Sequence, residues 1–86
     1  MSTIEKIAED AILAECPDLK VWVEAAEAVD APVIIFRAHE TSGEPEILTR
    51  FSVRLSPDKI PDPRQIRFAA THAGRSLAEA RREVPA

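Results

Sequence analysis

His39, His72 and Cys16 are the side chains of this sequence best suited to proton transfer, metal ligation or nucleophilic attack near neutral pH. Their spacing does not gather them. His39 is followed by Glu40, and neighbours on a strand point to opposite faces, so the two make a poor dyad. Cys16 precedes Pro17 where a helical pattern stops, and it reads as a small apolar residue. No H-x-x-x-H, C-x-x-C, G-x-S-x-G, phosphate-loop or dinucleotide pattern occurs. The expectation is a non-catalytic protein that needs neither a metal nor a cofactor.

A different set of residues stands out near the C-terminus. At 100° per residue, Arg64, Phe68, Thr71, Arg75, Ala78 and Arg82 fall on the side of a helix opposite its alanine-rich seam, with Arg67 and His72 flanking them. An aromatic ringed by arginines is a composition enriched at protein interfaces. The same Phe68 could instead pack on the first helix or on the Pro57–Pro63 connector. Nucleic acid could use the set too, with bases on Phe68 and phosphates on Arg64, Arg67, Arg75 and Arg82. A second cationic surface follows from strand alternation. With Ile34, Phe36 and Ala38 inward, Arg37 and His39 join Arg50 and Arg54 on the outer sheet face. That face is either the solvated side of a half-buried sheet or a site for an acidic partner.

These arginines belong to a charge asymmetry. Residues 1–46 hold eleven acids against three bases, and residues 47–86 hold four acids against eight bases, for a net of −4 overall. Seven of the eight C-terminal bases are arginine, which forks onto carboxylate or phosphate. The halves could pair internally, or leave one acidic and one basic face for partners.

The elements that must carry these residues read as follows. Ser2 or Thr3 caps a first helix, Ser2 and Glu5 having the S-x-x-E spacing. Ile4, Ile7, Ala8, Ala11 and Ile12 form its apolar stripe, and Pro17 stops it. Residues 18–31 conflict: Val21-Trp22-Val23 favours a strand over residues 19–25, and Glu24–Ala28 favours a helix. Strands at Val33–His39 and Ile47–Leu55 form an antiparallel hairpin around the turn Thr41–Pro45. Ser56–Pro63, with three prolines, is a stiff connector. Asp62-Pro63 then starts a helix running to about Glu83, with a seam of Ile66, Ala70, Ala73, Leu77, Ala80 and Val84. Gly74 costs that helix about 1 kcal/mol relative to alanine, and Ser76 with Glu79 offers a restart.

The expected fold is therefore a single compact α+β domain over residues 1–86, helix–three-stranded antiparallel sheet–helix (αβββα), with both helices on one sheet face. The alternative is helix–helix–hairpin–helix. The order αβββα also occurs in double-stranded RNA-binding domains, whose last helix begins lysine-rich; PDPRQIRF has arginine only, and no resemblance is drawn from it.

One cysteine excludes an internal disulfide framework. No apolar run approaches the roughly 18–20 residues of a membrane span, and MSTIEKIAED does not read as a signal peptide. The expectation is a cytoplasmic protein with no membrane partner. The function expected is a protein-interaction module, such as a small assembly subunit or inhibitor from a phage or other mobile element. Its partner is another protein or a second copy of itself, bound through the Arg/Phe stripe. The alternative is a nucleic-acid-binding module using the same arginine-rich half.

Overall fold

The computed structural model describes residues 3–41 and 47–83, and the side chains of all of these except 47 and 81–83. The element order is α1 (Ile4–Glu15), β1 (Val21–Glu27), β2 (Val33–Glu40), β3 (Ile47–Arg54) and α2 (Pro63–Glu83). The three strands form one antiparallel sheet in the order β1-β2-β3, so β1 and β3 are both edges. This is the helix–sheet–helix arrangement of the αβββα reading, and the three-helix alternative is excluded because residues 21–27 are strand.

Thr3 is the cap of α1: its Oγ1 accepts the Lys6 backbone N–H at 3.1 Å, which satisfies one free donor of the first turn. Ser2, the other expected cap, lies outside the described residues, as do Ser42–Pro45 of the turn and Val84 of the seam. The helix closes where Cys16 N–H reaches the Ile12 carbonyl at 2.9 Å, immediately before Pro17.

β1 resolves the conflict in residues 18–31. It starts at Val21 rather than residue 19 and continues through the helix-favouring run to Glu27. Helix propensity is worth less than about 1 kcal/mol per residue, and pairing with β2 overrides it. Val23 sits opposite Ala38, and Ala25 opposite Phe36, so alternate β1 residues reach the core.

The core lies between one sheet face and the two helices. Val21, Val23, Ile34, Phe36, Ala38 and Val53 come from the sheet, Ala8, Ala11 and Ile12 from α1, and Ile66 and Ala70 from α2. Phe36 is fully buried and stacks on Phe51 with ring centroids 4.9 Å apart.

α2 is one helix, with no break at Gly74. The glycine has a packing reason. A Cβ built there would lie 3.1 Å from Glu15 Cβ and 3.2 Å from Ile12 Cα, so α1 presses against the α2 backbone at this point. Cys16 Sγ donates to the Gly74 carbonyl at 3.4 Å across the same crossing. Asp62 caps α2, its Oδ1 accepting from Arg64 N–H at 2.9 Å, and Pro63 takes the first helical position. Leu55, Ser56–Ile60 and the left-handed Lys59 (φ 60°) carry the chain from β3 to this cap.

Candidate functional site

The helices cover one sheet face and leave the other open. On the open face Trp22, Glu24 and Ala26 of β1 lie beside His39, Arg37 and Ile35 of β2, and Arg37 and Ile35 lie beside Arg50 and Ser52 of β3. Trp22, 43% exposed, stacks on the His39 ring at 4.3 Å between centroids. Glu24 joins the set: its Oε1 is 3.1 Å from His39 Nε2 and 3.9 Å from Arg37 Nη1. The carboxylate thus offsets the repulsion between Arg37 and the directly opposed Arg50. His39 accordingly has Glu24 and Trp22 as its neighbours across the strands.

Between β3 and α2 runs a groove of about 430 Å³, lined by Arg50, Phe51, Phe68, Ala69, His72 and Ser76 among others. α2 positions its aromatic wall. Phe68 and His72 are one turn apart and meet edge to face, ring centroids 4.7 Å apart. Phe68 is 69% exposed, so it packs neither on α1 nor under the connector. Further along β3, a second depression is lined by Arg54, Leu55, Ile60 and Gln65, with Ile60 66% exposed. Two exposed large apolar side chains, Phe68 and Ile60, and two arginines, Arg50 and Arg54, therefore line these two depressions.

The arginines of the helix stripe part company. Arg64 Nε is 3.8 Å from Asp62 Oδ1 and the side chain is otherwise exposed. Arg75 Nε donates to Glu15 Oε1 at 3.0 Å, across the α1–α2 crossing. Arg67 borders a shallow groove with Asp10, Ala14 and Thr71, again toward α1. Arg82 is in α2, and its side chain lies outside the described residues. The structure thus groups Phe68 with His72 and Arg50, while Arg67 and Arg75 lean the other way. Arg50 and Arg54 have no acidic partner within 4 Å among the described residues.

Sequence reasoning named Phe68 and Arg50 but put them on separate surfaces. Which strand α2 lies beside depends on tertiary packing and leaves no local mark. Among the described residues, no three His, Cys, Asp or Glu side chains come close enough to hold a metal ion, and no helix is long and apolar enough to cross a membrane. No known family model, characterised protein or solved structure matches this chain.

Proposed function

We propose that this chain is a non-catalytic protein-interaction module that binds its partner along the β3–α2 side, with Phe68 as the anchor. The observation that carries the reading is a large aromatic left 69% exposed on a helix whose seam residues Ile66, Ala70 and Ala73 are buried, beside an Arg50 with no acidic partner among the described residues. Aromatic side chains and arginine are enriched at protein interfaces, where a few anchors carry most of the binding energy. A small assembly subunit or inhibitor of the kind a phage or other mobile element encodes is the form of module that this size and charge suit. The lone buried thiol of Cys16 suits a reducing compartment such as the cytoplasm.

A nucleic-acid reading draws on the open sheet face, where exposed Trp22 and Arg50 and half-buried Arg37 offer a stacking platform and phosphate contacts. The experiment that separates the two is capture from a lysate of the source cells, with and without nuclease, using the wild-type chain and Phe68→Ala in parallel. The protein-module reading expects a bound protein that survives nuclease and is lost from Phe68→Ala. Capture that disappears with nuclease, or that Phe68→Ala leaves unchanged, contradicts it.

A further inference from the structure

We infer that the β3 edge takes an extended acidic–apolar segment of a partner protein as a fourth strand, seated in the groove between β3 and α2. The inference rests on the interaction-module reading and specifies its partner.

The backbone supplies the first part of the argument. Leu55 N–H donates to the Pro32 carbonyl at 2.7 Å, so Leu55 faces β2. Hydrogen-bonding direction alternates along an antiparallel strand. Val53 and Phe51 therefore also face β2, and Arg50, Ser52 and Arg54 point their N–H and C=O groups outward from the sheet. Among the described residues the register irregularity of this strand pair lies beyond them, at Ala38/His39. Residues 50–54 contain neither proline nor lysine, two of the usual blunting devices of an edge. A regular edge of this kind is a template for strand addition.

The side chains supply the second part. On an added strand, residues opposite Phe51 and Val53 point toward the helix layer, where Phe68, Ala69 and His72 form an apolar and aromatic wall. Residues opposite Arg50 and Arg54 point to the open face, beside two guanidinium groups with no acidic partner among the described residues. The fitting pattern is acid–apolar–small–apolar–acid. Asp62, an acid bordering the neighbouring depression, is taken up by Arg64. A second copy fits poorly. Two β3 edges paired about Ser52 would set Arg50 of each against Arg54 of the other, and directly opposed like charges destabilise a sheet.

The test uses the full chain, ¹⁵N-labelled, and a capped synthetic peptide carrying Glu-Val-Thr-Val-Glu between Gly-Ser flanks. On peptide addition the amide signals of Arg50, Ser52 and Arg54 should shift and exchange with solvent at least about tenfold more slowly, with accompanying shifts of the Phe68 and His72 rings. A peptide with lysine for both glutamates should bind about tenfold or more weakly. One with proline for the central threonine, which removes a strand donor without touching this chain, should lose binding to a similar degree. Four results overturn the inference: no shifts at about millimolar peptide; binding that leaves exchange at those three amides unchanged; equal binding of the lysine peptide; or protection of the same amides that rises with the concentration of the chain alone or on adding a single-stranded oligonucleotide. Failure of the peptide together with Phe68-dependent protein capture sinks strand addition and leaves the module standing. Capture insensitive to Phe68→Ala sinks the module reading itself.

Discussion

Phe68 and Phe36 are the same residue type in opposite circumstances, and their substitutions should separate binding from stability. Phe36 is fully buried against Phe51, so Phe36→Ala should cost about 3–5 kcal/mol, a large part of the roughly 5–15 kcal/mol that holds a small domain together. Urea unfolding checks this, and a loss below about 1 kcal/mol would contradict the core described. Phe68→Ala removes an exposed ring and should change stability by less than about 0.5 kcal/mol. Gly74 makes a finer prediction. Gly74→Ala gains about 1 kcal/mol of helix propensity and loses a similar amount to the squeeze against Ile12 and Glu15, leaving stability nearly unchanged. Gly74→Leu has no room and should lose about 1–3 kcal/mol, read by the same melts. Lys6 makes a pH prediction. The hydrogen bond to Asp10 and its charge, with help from Glu9, raise the lysine pKa above its usual value. The pairing therefore stabilises the fold below about pH 10.4 and stops doing so as pH rises through the folded-state value. An NMR midpoint for Lys6 at or below the ordinary lysine value would show that the pairing does not form.

At the scale of elements, β3 can be tested without any partner. Protection from amide exchange should alternate along it, high at Phe51, Val53 and Leu55 and low at Arg50, Ser52 and Arg54, because the latter three face no strand. Uniform protection measured by NMR would mean that something already covers this edge. What the sequence made readable follows from how local each signal is. The caps, the hairpin and the proline-stiffened connector rest on residues close together in the chain, and α1, the two hairpin strands and α2 emerge close to their expected bounds. β1 was balanced because Glu24–Ala28 favours a helix locally, and only the register against β2 decides otherwise. Gly74 reads as a weak point in sequence because its reason, the pressure of Glu15 and Ile12, is 59 and 62 residues away in the chain. The candidate site was half legible for the same cause. The helical period put Phe68 outward, but the meeting of Phe68 with Arg50, and the pairing of Arg75 with Glu15, depend on how the layers stack.

Across the whole molecule the acidic and basic halves meet along α1 and α2. Among the described residues the ion pair that joins them is Arg75 with Glu15, whereas Arg37 with Glu24 and Lys6 with Glu9 and Asp10 lie inside the acidic half. These pairs lie at the surface, are individually weak, and engage four acids, Glu9, Asp10, Glu15 and Glu24. Because two β3 edges would set arginine against arginine, light scattering should report a 9.5 kDa monomer at both low and high salt, and a salt-sensitive dimer would show that the charged faces serve each other between copies. The β3–α2 side carries Arg50 and Arg54 with no acidic partner among the described residues, together with exposed Phe68 and Ile60. The central claim is that this side is where a partner protein binds. The most direct test is the dissociation constant of the captured partner for the wild-type chain, for Phe68→Ala and for Arg64→Ala, each confirmed as folded by its melt. Phe68→Ala should bind at least about tenfold more weakly, while Arg64→Ala, exposed beside its own helix cap, should bind within about twofold of wild type. Equal affinity of wild type and Phe68→Ala would place the interface elsewhere and contradict the account.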